Sequence, residues 1–107
     1  MNNNAGSGVE RLQMLSGESI EVSSHKFKRL LEEDDFRVSN DQLFNSLTSR
    51  EKEILRHIAL GESNLQISEK LFVSSDTVRT HRNRIWNKLG IKNLAGAIRF
   101  AQAFDLI

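Results

Sequence analysis

From Leu47 to the C-terminus, apolar residues return every three or four positions, and each run opens and closes on residue types that start and stop helices. Thr48 followed three residues later by Glu51 forms a capping box, Ile54, Leu55, Ile58 and Ala59 trace one face, and Gly61 ends the run; this predicts a helix over about 49–60. Ser63 with Gln66 makes a second box, and Leu65, Ile67 and Leu71 are expected to supply the buried side of a short second helix. Phe72 and Val73 close a turn, and Ser74 can cap the next helix. Val78, Ile85, Trp86 and Leu89 then mark one face of that third helix, about 75–89, which stops at Gly90. A fourth run begins at Asn93 as N-cap and carries Leu94, Ala97, Ile98, Ala101 and Phe104. No proline interrupts any of them.

The residues before Leu47 read differently. MNNNAGSGVERLQMLSGESIEVSSH is rich in Asn, Ser and Gly, lacks a sustained period and shows no strand of convincing length. KFKRLLEEDDF, residues 26–36, has apolar side chains at 27, 30 and 31 and predicts a short helix, too short to be stable alone. The expected organisation is therefore a mostly irregular N-terminal tail or linker over 1–46, with a short helix at 26–36, and an all-α, four-helix domain over 47–107. A domain that small is near the lower limit for a self-sufficient core, which favours a partner subunit.

Charge sharpens the division. Residues 1–46 carry 5 Lys+Arg against 8 Asp+Glu, and residues 47–107 carry 10 against 6, so the net +1 conceals an acidic front and a basic back. Between Thr77 and Phe104 there is no acid at all, while Arg79, Arg82, Arg84, Lys88, Lys92 and Arg99 fall inside that span. Such a span points to a polyanion as partner. Turning the 75–89 helix at about 100° per residue puts Val78, His81, Ile85 and Leu89 inward. Asp76, Arg79, Thr80, Asn83, Arg84 and Asn87 then face outward, with Arg82 and Trp86 between the faces. Arg79 can bond guanine through two parallel hydrogen bonds, and Thr80 and Asn83 can read neighbouring bases. The hydroxyls of Ser74, Ser75 and Thr77, with the free backbone N–H groups of the helix start, can hold a phosphate, and Arg82 can extend its head toward the duplex backbone.

Other chemistries find little footing. The chain has no cysteine, and His25, His57 and His81 lack metal-ligand spacing, so neither a metal nor another cofactor is expected. There is no nucleophile elbow, no phosphate-cradling glycine loop and no carboxylate pair in a plausible pocket; the expectation is that the protein is not an enzyme and has no small-molecule ligand. No apolar run approaches the roughly 18 residues needed to span a bilayer, and the start lacks the regions of a signal peptide, so the protein is expected in the cytoplasm, away from membranes.

The same residues carry a resemblance. LTSREKEILRHIAL followed by GESNLQISEKLFVSSDTVRTHRNRIWNKLGI resembles the LuxR-type (LuxR/GerE) helix-turn-helix DNA-binding domain of bacterial transcription regulators, over residues 47–107. The matching pieces are the Leu-Thr-x-Arg-Glu opening, Gly61-x-Ser63-Asn64, Ile67, Leu71, Val73-Ser74, Thr77-Val78-Arg79-x-His81 and Lys88-Leu89-Gly90. The resemblance implies a helix-turn-helix motif over about 64–83, a third helix that reads the major groove and a fourth that supplies a dimer contact. It implies Arg79, Thr80 and Asn83 at base-reading positions and Asn64, Thr77, Arg82 and Lys88 at backbone-contacting ones. Family members often carry a basic residue where this chain has Asn83 and an Asn where it has Arg84, so both Asn83 and Arg84 are candidates to reach DNA. LuxR-type domains usually come after a sensory domain, and 46 residues are too few to form one, so the chain is expected to be either an effector-only regulator or a piece of a longer protein.

The leading expectation is sequence-specific binding of double-stranded DNA by a transcription regulator, as a homodimer on an inverted repeat. Leu94, Ala97, Ile98 and Ala101 are the candidate dimer contact. The alternative is a protein-interaction module that contacts RNA polymerase, similar to the promoter-reading domain of a sigma factor.

Overall fold

The structure, a computed structural model, describes residues 9–13 and 19–107, with side chains from residue 24 onward. By their internal contacts, residues 1–36 and 37–107 form two units. In the first, β1 (Val9–Gln13) and β2 (Ser19–Ser23) pair antiparallel, Arg11 standing opposite Glu21. This hairpin lies where no strand was expected: five-residue strands with one or two β-branched positions are too short to stand out by alternation. The remainder of the expected tail, residues 1–8 and 14–18, lies outside the described residues.

Helix α1 runs Ser24–Asn45, twice the length of the 26–36 stretch that its apolar spacing predicts. Most of it is solvated, with Leu30, Leu31 and Val38 about half exposed or more, so periodicity gave little warning of it. Its last turn is different. Phe44 is buried and stacks on Phe104 with ring centroids 4.1 Å apart, while Arg37 bonds Asp105 at 3.2 Å and lies over the Phe104 ring.

The four expected helices are present: α2 (Ser49–Ala59), α3 (Asn64–Leu71), α4 (Ser75–Leu89) and α5 (Leu94–Ala103). Each is started by the side chain read from the sequence. Thr48 Oγ1 accepts from the Glu51 amide at 3.1 Å while Glu51 Oε1 accepts from the Thr48 amide at 2.8 Å. Ser63 and Gln66 repeat that reciprocal pair, Ser74 Oγ accepts from the Thr77 amide, and Asn93 Oδ1 accepts from the Gly96 amide. These bonds satisfy amides that a helix start would otherwise leave open.

Helix α2 is the centre of the bundle and packs on α3, α4 and α5. Ile54, Leu55, Ile67, Val78, Ile85, Ala97 and Ala101 are completely buried, joined by Ile58, Leu89 and Phe100. At about 1.5–3 kcal/mol for each large aliphatic side chain, this interior is the main force holding α4 in place. Gly96 allows the last corner to close, since a Cβ there would stand 2.9 Å from Ile91 Cβ.

One side chain departs from the expected interior. Leu65 is 61% exposed, because it lies about 200° around α3 from Ile67 and cannot share its side. Phe72 ends α3 in the left-handed region, φ 58°, and is 92% exposed; the turn geometry, not burial of the ring, determines its backbone.

Candidate nucleic-acid interface

The site is built on α4, whose two faces contrast. Val78, Ile85 and Leu89 are at most 3% exposed and lie against α2 and α3, whereas Arg79, Thr80, Asn83, Arg84 and Asn87 all face solvent. A long side chain on such a helix can move, but its Cα cannot. The outward set therefore stands on a fixed rod, with Ser74 and Thr77 at its positive end. There, Ser74 Oγ and Thr77 Oγ1 are 2.9 Å apart and exposed. Ser75, the first residue of the helix, is half-buried.

Each expected reader has a definite state in the free protein. Arg79 Nη1 donates to Asp76 Oδ1 at 2.8 Å, with both side chains more than half exposed. Thr80 is exposed, and its Oγ1 donates back to the Asp76 carbonyl at 3.1 Å. Asn83 and Arg84 are both exposed, side by side on the outer surface.

Arg82 and Asn64, expected at the duplex backbone, are brought together. Arg82 Nη1 donates to Asn64 Oδ1 at 3.1 Å, and the guanidinium lies over the Trp86 ring, 5.0 Å from its centre. This pair ties the first turn of α3 to the middle of α4. The carbonyl of Asn64 is engaged, so its amide hydrogens and the remaining guanidinium N–H groups are the donors that this bond does not use.

Three expected contacts change role. Lys88 Nζ donates to Glu51 Oε1 at 2.7 Å and to the Ser46 carbonyl at 3.3 Å, so its ammonium is engaged within the protomer although its side chain is 35% exposed. Glu51 is 2% exposed; burial pushes its carboxyl upward, but the Lys88 ammonium and the Thr48 amide outweigh this and hold it below the usual carboxylate range. Sequence spacing could not show that a lysine on α4 closes over a capping carboxylate on α2. Ala97 and Ala101, expected in the dimer contact, are completely buried within the protomer, because small residues let α5 approach α2 closely. Only Leu94, 41% exposed, and the half-buried Ile98 remain available from that set.

Two more features frame the rod. Glu62 accepts from Lys70 at 3.0 Å and lies 3.0 Å from His57 Nδ1, which clamps the α2–α3 turn; the Lys70 hydrogen bond, with His57 beside it, keeps the Glu62 carboxyl below its ordinary range. His81 is half-buried, and its Nδ1 is turned away from solvent without a hydrogen bond to a neighbour. Among the described residues no group of three His, Cys, Asp or Glu could hold a metal ion, and no helix is long and apolar enough to cross a membrane.

A cap-defined helix pair with a cationic second member is a common architecture, and the order of residues along it decides between families. Residues 45–101, more than half of the chain, match the bacterial regulatory proteins of the luxR family. The chain belongs to that family. Similar proteins include the transcriptional regulatory protein MctR of Rhizobium johnstonii, 39% identical over 93 residues that span 87% of this chain and 41% of MctR. The DNA-binding transcriptional activator EvgA of Escherichia coli K12 is 39% identical over 64 residues, 60% of this chain and 31% of EvgA. The crystal structure of the response regulator ChrA of a heme-sensing two-component system superposes with a TM-score of 0.52 at 46% identity, covering 57% of this chain and 30% of ChrA. The chain thus spans well under half the length of these similar proteins. The family match spans α2, α3, α4 and most of α5.

Proposed function

We propose that residues 47–107 bind double-stranded DNA sequence-specifically as the DNA-binding domain of a bacterial transcription regulator acting in the cytoplasm, with α4 as the recognition helix in the major groove. One observation carries this reading: α4 buries one face completely and presents Arg79, Thr80, Asn83 and Arg84 on the other. Arg79 and Arg84 reach base edges, Thr80 and Asn83 read alongside them, and Ser74, Ser75, Thr77, Asn64 and Arg82 hold the flanking phosphates. Lys88 is omitted from the phosphate set because Glu51 holds it. The roles of MctR and EvgA in transcription regulation agree with this assignment.

The protein acts as a homodimer through Leu94 and Ile98, the exposed part of α5. Two recognition helices would then lie about 34 Å apart on an imperfect inverted repeat. Selection of bound duplexes from a random pool tests all of this together, and the expected result is an enriched inverted repeat with half-sites about one helical turn apart. Failure to retain any duplex at low ionic strength would reject the proposal, and a shift seen only with RNA polymerase present would favour the polymerase-contacting reading.

A further inference from the structure

Between Glu69 and Asp105 the sequence contains one carboxylate, Asp76, and it stands in the first turn of the helix proposed to enter DNA. A bare acid there opposes every phosphate it approaches, and among base edges in the major groove it suits the cytosine amino group. Asp76 is not bare. Its Oδ1 accepts from Arg79 Nη1 at 2.8 Å, across one helical turn, although its side chain is 87% exposed and that of Arg79 62%.

An ion pair so exposed contributes little to folding, since solvent screens it and two long side chains lose freedom in forming it. Its effect lies in where it leaves the guanidinium. Five N–H groups radiate from that plane in a fixed fork, and one of them is held by Asp76. The Nε and Nη2 side of the fork remains open, two parallel donors aimed away from Asp76, which is the pattern that guanine O6 and N7 accept.

We infer that Asp76 is a specificity-determining residue that positions Arg79: its carboxylate holds the guanidinium in a base-reading orientation and denies it to the nearest phosphate. This rests on α4 entering the major groove. Asp76 trades affinity for discrimination. With the pair intact, Arg79 arrives pre-aimed at one base; without Asp76, the same arginine is free to bond any phosphate within reach, which every sequence offers equally.

The test measures equilibrium affinity for the selected operator, for the three base-pair variants at the position that responds to Arg79→Ala, and for random duplex. The proteins are the wild type, Asp76→Asn, Arg79→Ala and the double variant, each checked for its thermal midpoint. Asp76→Asn is expected to narrow the spread of affinities at that one position by roughly 3- to 10-fold, the scale of ordering one long side chain. It should also tighten binding to random duplex and leave preferences at other positions unchanged. A merely structural role at the helix start would move the midpoint and not the preference at one base pair. In the Arg79→Ala background, Asp76→Asn is expected to narrow nothing further. If Arg79→Ala flattens the preference and Asp76→Asn leaves it intact, the positioning role is overturned while base reading by Arg79 stands. Equal narrowing by Asp76→Asn with and without Arg79 overturns it too, and makes Asp76 a reader in its own right. Should Arg79→Ala itself leave every preference unchanged, base reading by Arg79 fails and the positioning role falls with it.

Discussion

Replacing Lys88 with methionine separates a structural lysine from a DNA-contacting one. Methionine keeps most of the apolar stem and removes the ammonium that Glu51 Oε1 accepts from at 2.7 Å. Glu51 is 2% exposed, so water replaces the lost donor only in part, and the Thr48 amide is left as its partner on that oxygen. A hydrogen bond to a charged group is worth about 1.5–3 kcal/mol. The Lys88 side chain is 35% exposed, which keeps the loss below the roughly 3–5 kcal/mol seen when a fully buried pair is broken. A loss of about 2 kcal/mol is therefore expected, or on the order of 10 °C in the melting midpoint of a domain this size. Urea unfolding followed by circular dichroism at neutral pH reads the free energy. The sign of the pH dependence is fixed by the lowered Glu51 carboxyl: its contribution is present above the unfolded value of 4.5 and is lost as pH falls through the lower folded value. The gap between wild type and Lys88→Met should thus close in acid. Because the ammonium is engaged by Glu51, the salt dependence of DNA affinity should keep its slope. An unchanged urea midpoint together with a slope flattened by about one unit would show that Lys88 contacts phosphate after all.

Other substitutions examine the remaining parts. Arg79→Ala should cost roughly 1–3 kcal/mol on the selected operator and relax preference at one base pair, and equal losses on random duplex would reject base reading. Arg82→Ala should weaken all duplexes alike and flatten the salt slope by about one unit; it also removes the bond to Asn64, so the comparison is made on protein shown by circular dichroism to be folded. Ile98→Glu should lower the mass seen in sedimentation while helical content stays nearly constant, and an unchanged mass would mean that the exposed part of α5 is not an interface. Phe72→Gly should raise stability by about 0.5–1 kcal/mol, because the ring is solvated and φ is 58°; a lower urea midpoint would reveal a contact made by the ring.

The four-helix domain was legible because its signals are local. Thr48 with Glu51, Ser63 with Gln66, Ser74 and Asn93 act within three residues of themselves, and the 3.6-residue period of Ile54, Leu55 and Ile58 needs no knowledge of partners. The hidden parts depend on distance through space. Nothing in the spacing of Lys88 distinguishes a phosphate contact from a bond to a carboxylate 37 residues earlier, and both suit a solvated cation near a helix end. Ala97 and Ala101 look alike as core or interface, since only the approach of α2 decides which side of α5 is covered. Helix α1 was read at only half its length because its apolar positions are scattered and largely solvated, while the feature that anchors its end, Phe44 against Phe104, joins residues 60 positions apart. On α4, by contrast, the helical wheel placed the outward set correctly, because the chain there does one thing per face.

The caps also bear on how the domain comes into being. A turn of helix is costly to begin, and here the groups that ease its beginning at Thr48, Ser63, Ser74 and Asn93 lie next to the turns they serve, so nucleation need not wait for remote segments to meet. Such a chain belongs among the rapid folders, on the microsecond-to-millisecond scale. A ribosome releasing it, or a transient local opening in the cell, would expose its greasy interior to neighbouring chains only briefly.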